Sequence, residues 1–231
     1  MQPFHQAKTR LAGVFDRASA TYGQVGPNYF TYFGQRLVEH AALTPGMRVL
    51  DVACGRGAVL FAAAQAVEPT GSVIGVDLSE GMVAATTADI AKRGLPNVTA
   101  QVMDAEHLVF PDAAFDALTC AFSLFFMSEV TALAEFRRVV RPGGTLAVST
   151  WAPKDPSSEE AARWRWYDDL LKRYLPEPLS VSVSPRSAAM KSPEEWAECV
   201  RQASFERGRV EQETATFTYA SAEEWWQERW S

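Results

Sequence analysis

The chain has 231 residues, 47% of them apolar, which suits one large domain, or one domain with a small cap, around a buried core. Lysine and arginine total 22 against 28 acidic residues, a net charge of −6 with no basic stripe, so nucleic acid is disfavoured as a partner. The three cysteines are too few and too scattered for a disulfide framework or a zinc site. There is also no signal-like N-terminus and no eighteen-residue apolar run, so a soluble, cytoplasmic protein without a bound metal or a membrane span is expected.

In chain order, Asn28 is placed to cap an amphipathic helix in which Phe30, Phe33, Leu37 and Ala41 share a face, ended by Pro45-Gly46. From about residue 46 to 151, apolar strands alternate with helical stretches. "MRVLDVA", "SVIGVDL", "VTAQVMD", "FDALTCAF" and "TLAVSTW" are near-continuous apolar runs, as strands covered on both faces require. Between them lie "AVLFAAAQAVEP", "EGMVAATTADIAKRG" and "EVTALAEFRRVVRPGG", with Ser79 as N-cap and Gly94 as stop of the second. Such alternation predicts an α/β fold with a doubly wound, mostly parallel sheet. Cys54 and Cys120 fall at strand ends and read as buried reduced thiols.

After the core the composition changes. A helix is expected around "SEEAARWRWYDDLLKRYL", another over "SPEEWAECVRQASF" with Ser192 as cap and Pro193 at its first position, then a strand in "GRVEQETATFTYA", which alternates at period two. All seven tryptophans lie from Trp151 onward. They fit either an accessory packing layer or an aromatic cap over a cleft.

The stretch "VLDVACGRG" is a strand running into a glycine turn, at the sheet end where open α/β folds bind ligands. A dinucleotide fingerprint would need a third glycine where Leu60 stands, and no Gly-Lys-Ser/Thr of a phosphate loop follows. Asp51, read as part of the turn region, repels pyrophosphate and attracts a cation. Asp77 ends the second strand, where a carboxylate can accept both ribose hydroxyls. Asp104 ends the third, where a carboxylate and the next amide can read an adenine edge. A ribose, an adenine and a positive charge describe S-adenosylmethionine.

"VLDVACGRG", "GVDLSEGMV", "VMDAEHLVFPDAAFDALTCAF" and "ALAEFRRVVRPGGTLAVSTW" resemble, in order and spacing, the motifs of class I S-adenosylmethionine-dependent methyltransferases. The methyltransferase type 11 branch, which includes the ubiquinone/menaquinone C-methyltransferases, is the nearest in pattern. The resemblance is strong over about residues 14 to 151. It implies a Rossmann-like core at 46–151 and an N-terminal helical cap over the cofactor site at 1–45. A substrate-side helical insertion would follow at 152–192, and a final helix, antiparallel strand and Trp-rich end at 193–231.

By the same resemblance, Asp51, Gly55 and adjoining backbone, including Ala53 where the family usually has glycine, hold the methionine part of S-adenosylmethionine. Asp77 takes the ribose, Leu78 and Met82 pack on the adenine, and Asp104 and Ala105 read its amino edge. Ala121 and Phe122 contact the methionine part, and Tyr22 closes over the cofactor. S-adenosylhomocysteine would be the product.

The reading is methyl transfer to an O, N or C atom of a small, largely apolar molecule. Phe122, Phe125, Phe126 and Met127 are candidates for an apolar acceptor pocket, or else for core packing. No catalytic residue is assigned. His40 reads as structural, His107 as a surface or packing residue, and His5 is unplaced. The alternatives are a nicotinamide-dependent oxidoreductase and a protein of this fold that binds the cofactor without transferring methyl. The chain stops at "AEEWWQERWS", about where the family continues with a further helix and a last antiparallel strand. The expectation is therefore a missing C-terminal strand, or "GRVEQETATFTYA" as an exposed edge open to homodimer pairing.

Overall fold

The computed structural model describes residues 2–153, 157, 159–174, 191–205 and 207–229. Five strands form one parallel sheet: β1 (Arg48–Val52), β2 (Ser72–Asp77), β3 (Val98–Val102), β4 (Phe115–Ala121) and β5 (Val140–Ser149). The spatial order is β3-β2-β1-β4-β5, so the chain reverses direction beside β1, where ligand crevices open in such sheets. The α/β class and the parallel sheet are thus as expected from the alternating pattern.

Among the described residues eight α-helices accompany it: α1 (Gln2–Ala18), α2 (Tyr29–Ala41), α3 (Ala58–Val67), α4 (Glu80–Arg93), α5 (Glu129–Val139), α6 (Glu159–Tyr174), α7 (Pro193–Gln202) and α8 (Ala222–Arg229). One face of the sheet packs Val49, Val73 and Ala117 against α2, α3 and Ile90 of α4. The other packs Leu50, Phe115 and Leu118 against Leu133, Phe136 and Val139 of α5 and Trp196 of α7. Burial of these side chains stabilises the fold at about 25 cal/mol per Å² of apolar surface.

Local signals hold at several boundaries. Ser79 accepts a hydrogen bond from Met82 N–H at 3.1 Å and caps α4, and Gly94 ends that helix in the left-handed region. Ser192 and Glu195 make a capping box on α7, with Pro193 at its first position. Asn28 precedes α2 without a side-chain cap bond. The α2 core stripe is Gly34, Leu37, Val38 and Ala41. Gly34 lies so close to α3 that a Cβ there would meet Ala58 O at 2.6 Å. Phe30 and Phe33 continue the stripe into an aromatic group with Phe122, Trp151 and Phe217.

Three expectations are corrected. The helical reading of "EVTALAEFRRVVRPGG" ends at Val139, because Pro142 cannot continue a helix and the segment turns into β5. Its pairing with β4 shifts register between Phe115↔Val140 and Ala117↔Thr145, and Gly144 presses on Asp116 O where a Cβ would sit at 2.6 Å. Asp51 is a β1 residue, paired in register with Thr119 of β4, and not part of the turn.

The third correction concerns "GRVEQETATFTYA", which is in no strand. Its period-two alternation is real, since Glu213, Ala215, Phe217 and Tyr219 are half-buried and their neighbours exposed. Glu213 and Phe217 face helix α2, however, and the interior of a helix has no unpaired backbone groups to form a ladder. Glu213 accepts hydrogen bonds from Tyr32 Oη (2.7 Å) and Arg36 Nε (3.0 Å), and Phe217 meets Tyr32 and Phe33 edge-on. Of the proposed insertion at 152–192, only α6 and a few flanking residues are described, and residues 175–190 lie outside the described part.

Candidate active site

β1 leads into the turn 53–57, which is wound by three left-handed residues: Ala53 (φ 54°), Gly55 (φ 49°) and Gly57 (φ 82°). Gly57 is required twice over, since a Cβ there would also meet the Phe61 ring at 2.4 Å. Ala53 takes the left-handed region with a side chain, at a cost of about 1–2 kcal/mol. The residue that breaks the dinucleotide pattern, Leu60, is fully buried beside Gly75 of β2, where a Cβ would meet Leu60 Cδ1 at 2.9 Å and Cys54 Sγ at 2.8 Å. Close helix–sheet packing is thus achieved from β2 instead of from α3.

The turn is held on both sides of one residue, Gly55. Gly55 N–H donates to Asp77 Oδ2 at 2.8 Å, and Gly55 O accepts from Thr86 Oγ1 at 2.6 Å. The other Asp77 oxygen accepts from Ser79 N–H at 2.9 Å. Burial pushes the Asp77 carboxyl upward, opposed by these amides. Its two oxygens keep acceptor capacity for further donors.

Asp51 has a different environment. It is 1% exposed, and Oδ1 accepts from Thr119 Oγ1 at 2.8 Å, while Oδ2 is buried with no hydrogen-bond partner in the protein. Burial raises its pKa to about 7, with Thr119 and the Leu60 amide opposing and Asp77 adding to the rise.

Asp104 follows β3 and is clasped from the N-terminus: Lys8 Nζ of α1 lies 2.7 Å from Oδ2, and Glu106 N–H donates to Oδ1 at 3.0 Å. Lys8 also lies 3.1 Å from Glu106 Oε1. Burial works to raise the Asp104 carboxyl, but Lys8 and the Glu106 amide together hold it below the usual carboxylate range. His107 is 77% exposed, with Nδ1 3.6 Å from Asp104 Oδ2, so it is a surface residue.

Three more bonds fasten the N-terminal segment, and a fourth ties the turn to α4. Asp16 Oδ1 accepts from Ser79 Oγ at 2.6 Å and from Gly81 N–H at 2.9 Å. Arg56 of the turn donates to Ser19 O and, at 2.8 Å, to Asp89 Oδ2 of α4.

Tyr22 follows α1, with its ring stacked on Phe30 at 5.4 Å and edge-on to Phe15 at 5.9 Å. Its phenol is pushed up to about 12, by burial first and then by Asp77 and Glu228. Phe122, after β4, is left-handed (φ 49°) and packs against Trp151 with ring centroids 4.4 Å apart.

All eleven residues singled out from the sequence (Tyr22, Asp51, Ala53, Gly55, Asp77, Leu78, Met82, Asp104, Ala105, Ala121 and Phe122) line a single cavity of about 530 Å³. Phe126 and Met127 line it too, whereas Phe125 packs on Phe126 at 4.5 Å outside the lining. Sequence reasoning missed Lys8, Arg56 and Glu228 in the same wall: Lys8 and Glu228 arrive from distant elements with no local pattern, and Arg56 stands between the two glycines that carried the reading of the turn. Cys54 and Cys120 are buried free thiols, as expected. Among the described residues no group of acidic, histidine or cysteine side chains is arranged to hold a metal, and no helix is long and apolar enough to cross a membrane.

Comparison with known proteins agrees with the geometry. Residues 49–144 match the methyltransferase domain family. The chain is 34% identical over 217 residues to nocamycin O-methyltransferase of Saccharothrix syringae, covering 91% of this chain and 77% of that protein. It is 39% identical over 144 residues to aklanonic acid methyltransferase DauC of Streptomyces sp. (strain C5), a match covering 62% of this chain and 66% of the relative, just under two thirds. A SAM-dependent methyltransferase structure from Aquifex aeolicus shares the fold, with TM-score 0.59 at 22% identity over 88% of this chain and 90% of that one. The chain belongs to the class I S-adenosylmethionine-dependent methyltransferases. Nothing in these matches favours the nicotinamide alternative.

Proposed function

We propose that the chain transfers methyl from S-adenosylmethionine to an oxygen of a small, largely apolar, aromatic molecule. The observation that carries the cofactor half is the buried, unpartnered Oδ2 of Asp51. A carboxylate buried with one oxygen left unbonded is costly, and a cationic ligand offsets that cost. S-adenosylmethionine, with its sulfonium and ammonium, fits this donor set, whereas a pyrophosphate does not.

Asp51 and the Gly55 turn hold the methionine end, Asp77 accepts from the ribose hydroxyls, and Leu78 and Met82 pack on the adenine. Asp104 and the Ala105 amide read the adenine amino edge. Tyr22, with Phe15 and Phe30 behind it, excludes water. When bound, the cofactor supplies an electrophilic methyl group. The task of the chain is then to align an acceptor about 3–3.5 Å from that carbon. Phe30, Phe122, Phe126 and Met127 form apolar walls for such an acceptor. The names of the two relatives, an O-methyltransferase and a methyltransferase of aklanonic acid, support oxygen on an acceptor of this size.

The test is incubation with methyl-labelled S-adenosylmethionine and a panel of phenols, amines and quinones, read by mass spectrometry. Label on a phenolic or other hydroxyl oxygen is expected. Transfer to amines alone contradicts the acceptor assignment, and turnover with a nicotinamide cofactor contradicts the whole reading.

A further inference from the structure

A carboxylate not needed to hold the cofactor stands in the same cavity wall. Glu228, on α8 near the C-terminal end of the described chain, lines the cavity with Tyr22 and Tyr29. Its Oε2 accepts from Tyr219 Oη at 2.6 Å. The α1–α2 loop is shaped to receive it: Gly26 is left-handed (φ +77°), and a Cβ there would meet the Tyr219 ring at 3.1 Å and Glu228 Cγ at 3.3 Å. Its negative charge is felt by both cavity phenols. Burial and then Glu228 raise Tyr29 far above the usual phenol range, and Glu228 contributes to the rise at Tyr22.

Tyr22 shares the cavity wall with two carboxylates, Asp77 and Glu228, and both add to the rise of its phenol. Of the cations that line the cavity, Lys8 and Arg56 are engaged by Asp104, Glu106 and Asp89, and Arg93 lies over the Phe61 ring at 3.8 Å. Glu228 accepts from the Tyr219 hydroxyl and shares the wall with Tyr22 and Tyr29, and a carboxylate there suits a neutral hydroxyl donor and disfavours an anion.

We propose that Glu228 marks the acceptor end of the cavity, selects a neutral aromatic hydroxyl and accepts its proton during methyl transfer. The inference rests on the methyltransferase reading above. In the step, the acceptor oxygen bonds to the methyl carbon while the carbon–sulfur bond breaks and its electron pair returns to sulfur. The hydroxyl O–H bond breaks and its proton passes to the Glu228 carboxylate, so the positive charge lost at sulfur is matched by the negative charge lost at Glu228.

The test uses the full chain saturated with S-adenosylhomocysteine and two probes of one shape, 1-naphthol and 1-naphthoate, titrated by calorimetry. The wild type is expected to bind naphthol at least about tenfold more tightly than naphthoate, and Glu228→Gln to reduce that preference to about threefold or less. Methyl transfer to naphthol should fall about 100-fold or more in Glu228→Gln. Affinity for S-adenosylhomocysteine should stay within about twofold, as in the control Glu223→Gln on the same helix. A naphthol-to-naphthoate ratio unchanged by Glu228→Gln, or no naphthol binding by the wild-type complex, overturns the proposal. Failure of the wild type to bind S-adenosylhomocysteine overturns the cofactor reading instead.

Discussion

Asp51 is an acid whose charge its buried position disfavours. Burial raises its carboxyl to about 7, so at lower pH the folded chain holds a proton that the unfolded chain has released. The stability from this protonation is full below the ordinary carboxylate range and is lost as pH rises through about 7; Asp77, raised in the same direction, adds to the trend. Asp51→Asn keeps the shape and removes the charge. Its thermal midpoint is therefore expected to fall less between pH 5 and pH 8 than that of the wild type; equal slopes would contradict the buried-charge account. The strain at Ala53 and Phe122 falls at the same site, with both residues left-handed and both lining the cavity. At the residue scale the three strand-end aspartates were legible in the sequence because each sits at the carboxyl end of an apolar run. The left-handed backbone of Ala53 was not, since alanine carries no turn signal.

Helix α1 is the element that the sequence described least. No motif announces that Lys8, Asp16 and Ser19 reach Asp104, the start of α4 and Arg56, although these contacts set the helix over the cavity. Asp16 serves as an outside cap, taking the Ser79 hydroxyl and the Gly81 amide while Ser79 itself caps α4. Asp16→Ala is expected to cost about 1 kcal/mol, as loss of a helix cap does. A drop in thermal midpoint of about 2–4 °C follows for a chain of this size. Amide exchange should quicken in α1 and leave the central strands unchanged. Exchange quickened equally in β1 and β4 would show that α1 is integral to the core and not latched onto it. The segment 208–219 teaches a related lesson: its alternation gave the correct period, but period alone does not name a partner, and α2 supplied one.

At the scale of the whole molecule, the parallel sheet with β1 at its reversal brings the ends of β1, β2, β3 and β4 to one crevice. This is why residues spread from Tyr22 to Phe122 converge on a single cavity, and why strand-helix alternation alone made that convergence predictable. The acceptor side was less legible. Glu228 enters the cavity only because α8 folds back onto the Gly26 loop, a long-range packing event without a local sequence signature. The central claim is that this crevice holds S-adenosylmethionine through Asp77. Titration calorimetry of S-adenosylmethionine into wild type and Asp77→Ala tests it most directly. One site per chain in the wild type, weakened about tenfold or more in the variant, is the expected result. Equal affinity in the two proteins, or no binding by the wild type, would contradict it.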